Sequence, residues 1–285
     1  MPIKTLLLPV GESDTGDALF DWAFGTAKRF DAHLDVLHVR ADPDAMMPYA
    51  TLGLSPGMRS SVREAAESKA HEVEKNLQRL FERACERHRV QKAARGSAVG
   101  KPSAAFIAAD GRQEVVVAQH GRLTDLIVVP LPGKSTPPRT VDAALRDSGS
   151  PVLMVPRKVG KTVGENIVVG WNGSKEAAQA VSAARPCMRE AKSVTILTTE
   201  KRQARRPNGD DVVIYLACHG IEAKVQIFDA RGRSVPETLL GEAHQAGADL
   251  LVVGSYSRTR LREVMMGGVT RYLMAEADLP IFCVH

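Results

Sequence analysis

The chain has 285 residues, 44% of them hydrophobic and 25% charged, with a formal net charge of +5. Such values suit a soluble globular protein of one large or two ordinary domains, and with only 5% aromatic residues the cores must be mainly aliphatic. The basic excess is too small and dispersed to argue for nucleic acid as a partner, and no stretch nears the ~20 apolar residues of a membrane span.

The N-terminus runs straight into a strand without a signal-peptide layout, so a cytoplasmic location is expected. Cys85, Cys187, Cys218 and Cys283 are scattered and form no C-x-x-C, which predicts buried, reduced thiols rather than a metal site or disulfide framework.

In chain order, Thr5–Val10 reads as a buried strand followed by a turn at Gly11–Asp14. Leu19, Trp22, Ala23, Ala27 and Phe30 recur at helical steps within 17–30, and 33–39 is a second strand. This βαβ unit predicts a parallel sheet. After a loop over 41–56, residues 60–88 read as a long amphipathic helix. Its apolar face, Val62, Ala66, Ala70, Val73, Leu77, Leu80, Phe81 and Ala84, is expected to dock on the sheet, with coiled-coil pairing as the alternative. A strand near 104–109, a helix over 113–120, a strand over 125–130, a helix over 140–148 and a strand over 151–155 follow.

A linker over 157–164 then precedes a second pass through the same order. Asn166–Trp171 matches the first strand, Asn172-Gly173-Ser174-Lys175 the first turn, 176–190 the first helix and 193–198 the second strand. A helix over 210–219, a strand over 223–228 and a helix over 236–246 follow. Asp249-Leu-Leu-Val-Val253 echoes Asp125-Leu-Ile-Val-Val129, and 280–284 echoes 151–155. The result is an α/β protein of two related open parallel-sheet domains, 1–158 and 159–285.

The copies differ most after the fourth strand. Asp125 and Pro151 are 26 positions apart, whereas Asp249 and Pro280 are 31 apart. The longer loop carries Gly254 at the strand end, Arg258, Arg260 and Arg262, and Gly267-Gly268 before a helix over 269–275. Glycines at a strand end and a helix start let backbone N–H groups approach an anion, and the helix dipole adds positive potential there. The same glycines also serve as plain turn residues, so the spacing leaves both readings open. Gly133-Lys134-Ser135 and Gly160-Lys161-Thr162 mimic the end of a P-loop but lack its upstream glycine, with Val128 and Val155 in that place.

These features resemble the universal stress protein family, in tandem form, across essentially the whole chain. The resemblance implies Rossmann-like domains of the adenine-nucleotide α-hydrolase kind. The family's nucleotide signature is Gly, two residues, Gly, nine residues, Gly, then Ser or Thr. Here Gly254 and Gly267 match it, while Ser257 and Gly268 stand at the other two places, with Thr270 nearby. Asn172-Gly173-Ser174 stands where Asp-Gly-Ser is usual. In the first copy, Gly11-Glu12-Ser13 and the proline-rich 130–138 replace both motifs, which predicts a copy without a nucleotide site because proline lacks the N–H a phosphate needs.

By this resemblance ATP, with Mg, sits at the carboxyl ends of the C-terminal strands. Asn172 lies near ribose or base, and Thr198 lines the base pocket. Gly254, Ser257, Gly267, Gly268 and Thr270 face phosphate, with charge from Arg258 or Arg260, and Gly170, Trp171 and Val269 complete the cofactor-binding set. The resemblance also pairs 280–284 with 151–155 as an intramolecular pseudo-dimer and allows a homodimer. No Ser–His–Asp set, paired carboxylates or metal spacing can be placed in space from the sequence, so no catalytic residue is expected and at most weak ATP hydrolysis. Two function classes stay open. One is a nucleotide-dependent stress or signalling module with a protein partner, and the other is a nucleotide-free interaction scaffold.

Overall fold

The computed structural model describes residues 2–12, 16–40, 55–133, 139–158, 163–230, 232–255 and 268–285. They fall into two compact units, Lys4–Val128 with Arg139–Ser148, and Met1–Ile3 with Val129–Pro138 and Gly149–His285.

The first unit runs β1 (Thr5–Val10), α1 (Asp17–Arg29), β2 (His33–Arg40), α2 (Pro56–His88), β3 (Gln91–Lys92), β4 (Ser103–Asp110), α3 (Gln113–Gly121), β5 (Leu126–Pro130) and α4 (Arg139–Arg146). Its strands lie in the order β3-β4-β2-β1-β5, all parallel. Leu6, Leu7, Leu8, Leu34, Val36 and Leu37 are fully buried. Such unbroken apolar runs are what a parallel sheet covered on both faces demands.

In α2 the apolar stripe behaves differently along its length. Leu77, Phe81 and Ala84 are buried, but Val62 and Ala66 are exposed, as is Met58 one turn earlier. Only the C-terminal half docks, so the expectation of a fully seated face is corrected. Periodicity defines a face, but the partner surface must also extend that far. Ser55 caps α2, its hydroxyl accepting from Met58 N at 3.4 Å, and Arg89 ends the helix in the left-handed region.

The second unit continues with β6 (Val152–Val155), β7 (Asn166–Gly170), α5 (Lys175–Arg189), β8 (Ser193–Thr199), α6 (Glu200–Gln203), α7 (Gly209–Ala217), β9 (Lys224–Phe228), α8 (Val235–Gln245), β10 (Leu250–Gly254), α9 (Gly268–Glu276) and β11 (Ile281–Val284). Its strand order is β6-β11-β10-β7-β8-β9. The described pairings are parallel, apart from β11 on β6, which run antiparallel with Phe282 opposite Leu153. The last strand of the first repeat thus pairs with the last strand of the second, within the C-terminal unit. The short elements β3 and α6 carried no sequence signal of their own.

Both copies tie their fourth strand to their first with the same aspartate. Asp125 Oδ2 accepts from Lys4 N (2.8 Å) and Thr5 N (2.9 Å). Asp249 accepts from Asn166 N (2.8 Å) and Glu165 N (3.0 Å). Charge-assisted bonds to backbone N–H groups at strand starts fix the strand register.

Cys85, Cys187 and Cys283 are buried as expected. Burial pushes the Cys85 thiol up to about 11 and the Cys283 thiol to about 12. Cys218 departs from the expectation and is exposed, at the end of the short, one-sided helix α7. Among the described residues no helix is long and apolar enough to cross a membrane.

Candidate functional site

The carboxyl ends of β7, β8 and β10 adjoin in the second unit. At β7 the chain leaves the sheet through Trp171, Asn172, Gly173 and Ser174 and enters α5. Asn172 Oδ1 accepts from Ser174 N at 3.0 Å, and Ser174 Oγ caps α5 by accepting from Ala177 N at 3.1 Å. Gly173 has φ +73, which favours glycine in this turn. The Asn172 carbonyl oxygen is therefore already engaged in shaping the turn.

Gly254 ends β10 against that same first turn. A Cβ on Gly254 would lie 2.4 Å from Ala177 N and 2.6 Å from Glu176 C. No side chain fits, so this glycine is what lets strand four meet the amino end of α5. The next residue, Ser255, is wholly buried, and its N and Oγ donate to Val284 O at 2.8 and 2.9 Å. Gly170 is also crowded, its added Cβ lying 3.1 Å from Leu239 and Val253 side-chain carbons.

Trp171 N donates to Leu197 O at 2.8 Å, which extends the β7–β8 ladder by one residue and sets Trp171 beside Thr198. Neighbours in register point to the same sheet face. The Trp171 indole is buried and its Nε1 donates to Pro207 O at 3.0 Å. Thr198 is 1% exposed, and its Oγ1 is the one buried side-chain polar atom among the described residues without a hydrogen-bond partner. A hydroxyl in that state costs roughly 1–3 kcal/mol.

Gly268 is exposed at the start of α9, with open space where its Cβ would be, and Val269 is half-buried. Thr270 is buried on the face it shares with Leu273 and Met274. The structure thus brings together Gly170, Trp171, Asn172, Thr198 and Gly254. Ser257, Arg258, Arg260, Arg262 and Gly267 lie outside the described residues, as do Lys134, Ser135, Gly160, Lys161 and Thr162. Two participants escaped the sequence reading. Ser255 showed only as a small residue after a glycine, and Pro207 sits in a segment with no periodic signal.

One Ser–His–Asp set does come together, contrary to the sequence expectation. His33 Nδ1 lies 2.8 Å from Ser103 Oγ, His33 Nε2 lies 2.9 Å from Asp35 Oδ1, and Arg95 pairs with the other Asp35 oxygen. All three residues of the set are under 9% exposed and lie at the amino ends of β2 and β4. Burial acts to raise the Asp35 pKa, but the His33 bond and the Arg95 charge outweigh it and hold the carboxyl below its usual value. Ser103 is 1% exposed and its hydroxyl is already held by His33, so the set serves as a satisfied polar core. Among the described residues no three His, Cys, Asp or Glu side chains gather to hold a metal ion.

Two α/β units of one plan, with the second carrying a turn, a crowded strand-end glycine and an unmatched hydroxyl at adjoining strand ends, define a tandem protein of the Rossmann-like class. The sequence matches the Universal stress protein family over residues 2–156 and 165–285, and the chain belongs to that family. Solved structures agree on the fold. A universal stress protein from Archaeoglobus fulgidus DSM 4304 aligns at 17% identity and TM-score 0.68, covering 98% of this chain and 97% of that one. A functionally unknown protein from Pseudomonas aeruginosa PAO1 aligns at 15% identity and TM-score 0.57, covering 99% and 92%. The cytoplasmic domain of a prokaryotic cation chloride cotransporter aligns at 12% identity and TM-score 0.55, covering 98% and 94%. The search of curated proteins gave no match.

Proposed function

We propose that this universal stress protein binds one adenine nucleotide, ATP with its Mg, at the carboxyl ends of β7, β8 and β10, and signals a stress state to a protein partner in the cytoplasm. The observation that carries the reading is the buried, unpartnered Thr198 hydroxyl beside Trp171. A purine edge hydrogen-bonded there would remove the desolvation cost of that hydroxyl. Gly268, open at the start of α9, supports a phosphate approach to that helix N-terminus. We expect turnover to be slow or nil.

The test is calorimetric titration of ATP into the full chain and into Thr198→Val. Saturable binding that weakens about tenfold in the variant, the loss of one buried hydrogen bond, is the expected result. Unchanged affinity removes Thr198 from the site, and no binding at millimolar ATP removes the reading. Gly254 favours the second reading, a nucleotide-free scaffold, because packing on Ala177 N alone requires a glycine there. That scaffold would use β6 on β11 as its joining element and could self-associate.

A further inference from the structure

The segment that closes over the Trp171 turn is basic. Residues 201–206 read Lys-Arg-Gln-Ala-Arg-Arg, four cations in six positions. This strap leaves the carboxyl end of β8 immediately after Thr198 and Thr199, forms α6, and returns to the turn at Pro207. There Pro207 O accepts from Trp171 Nε1 and lies 3.5 Å from where a Cβ of Gly173 would be.

The strap is a built element. Asn208 and Asp211 form a capping box at α7, Asn208 Nδ2 donates to Gln203 O at 3.2 Å, and Gln203 Oε1 accepts from Gly209 N at 3.0 Å. Gln203 Nε2 donates to Asp210 at 2.7 Å, and Arg206 pairs with Asp211 at 3.0 Å. The nearby carboxylates of Asp210 and Asp211 are thus engaged, and Glu200 is the acid within α6. Lys201, Arg202 and Arg205 have no ion-pair partner among the described residues.

Parallel strands lie about 4.8 Å apart, so the ends of β8 and β10, two strands apart, are separated by roughly 10 Å. The 5′-phosphates of the proposed nucleotide belong at the β10 end. The strap follows Thr198 and Thr199 directly in the chain, at the β8 end, where the proposed nucleoside would lie. Adenine is neutral, so an anion there must be attached to the ribose.

We infer that the 200–208 strap is a second phosphate-binding site, and that the chain prefers an adenine nucleotide phosphorylated on its ribose as well as at its 5′ position. This inference rests on the nucleotide reading above. Lys201, Arg202 and Arg205 supply the charge, and the Trp171–Pro207 hydrogen bond sets the strap over the nucleoside. In the first copy the residues after the second strand are Ala41-Asp42-Pro43-Asp44, acidic where the second copy is basic.

The experiment compares 5′-AMP, adenosine 3′,5′-bisphosphate and adenosine 2′,5′-bisphosphate by calorimetry on the full chain. The same titrations are run on a Lys201→Ala, Arg202→Ala, Arg205→Ala variant whose folding is checked by its thermal melt. The expected result is that one bisphosphate binds about tenfold more tightly than 5′-AMP, the size expected of several exposed charge contacts. The preference should shrink as salt is raised and vanish in the triple variant, with 5′-AMP affinity unchanged. Equal affinity for all three ligands overturns the inference while leaving the nucleotide reading intact, and so does a triple variant that weakens 5′-AMP as much as the bisphosphate. Failure of both 5′-AMP and ATP to bind overturns the nucleotide reading itself.

Discussion

The two repeats agree at the amino ends of their strands and part company at the carboxyl ends. At the amino ends Asp125 and Asp249 make the same bonds to the first strand, and Asp125 N and Asp249 N each donate at 3.0 Å to a carbonyl of that strand, Thr5 O and Asn166 O. At the carboxyl ends each position differs in kind. Trp171 and Thr198 correspond to Val10 and His38, and Gly254-Ser255 to Pro130-Leu131. His38 is buried, with Nδ1 3.4 Å from Val10 O, so an imidazole occupies and satisfies the place where the second copy leaves a hydroxyl unmatched. Leu131 N donates to Val155 O at 2.8 Å as Ser255 N donates to Val284 O, so the strand-end bond persists while its side chain turns apolar. The shared bonds build the sheet, and the copies diverge at the strand ends.

The sharpest way to break this comparison is at strand four. Gly254→Val drives a side chain into the backbone of Glu176 and Ala177, and a loss of more than about 3 kcal/mol or failure to fold is expected. At the corresponding site Pro130→Ala should stay within about 1 kcal/mol, as read by urea denaturation. Trp22 and Trp171 lie in different units, so Trp→Phe variants let fluorescence follow each unit separately.

The shared aspartates come next. Asp249→Ala should cost about 2–3 kcal/mol, because it strands two half-buried backbone donors, and Asp125→Ala somewhat less, because Thr5 N is half-buried but Lys4 N is exposed. A cost at one site several-fold smaller than at the other would show that the two copies do not share this support.

Acid should then separate the units. The folded-state pKa of Asp35 is lowered, so its contribution is full above the unfolded value of about 4 and is lost as pH falls through the folded value. In the second copy the matching residue is Thr195, which does not titrate. The unit with Trp22 should lose stability faster than the unit with Trp171 as pH falls below about 4, and Asp35→Asn should flatten that difference.

The smallest effect is expected at the candidate site. Thr198→Val removes an unmatched buried hydroxyl at nearly constant volume, so stability should rise by about 1 kcal/mol, the low end of what such a hydroxyl costs. A clear destabilisation would mean that the hydroxyl has a partner in the folded chain.

The repeat, the succession of strands and helices along each copy and the Asp125–Asp249 correspondence were legible in the sequence, because apolar runs and turn residues report burial locally. The family followed from the same residues. What was not legible depended on neighbours remote in sequence. The stripe from Val62 to Ala84 named a helix face without saying where its partner surface stops. His33 meets Ser103 only through β2–β4 register, 70 residues apart. Gly254 looked like a phosphate glycine, and the structure adds the contact with Ala177 that requires it in any case. Thr198 was nameable as a pocket residue, but its lack of a partner is a property of everything packed around it. The cations at 201–206 were countable, yet only the Trp171–Pro207 bond ties them to the site.

The account stands on one nucleotide per chain, held by the second copy alone. The direct measurement is the stoichiometry and affinity of ATP by calorimetry on the full chain, set beside Thr198→Val and, in the first copy, His38→Thr. The account predicts a single saturable site that Thr198→Val weakens and His38→Thr leaves alone. Two sites per chain, a site lost in His38→Thr, or no heat of binding from a folded protein at millimolar ATP would contradict it.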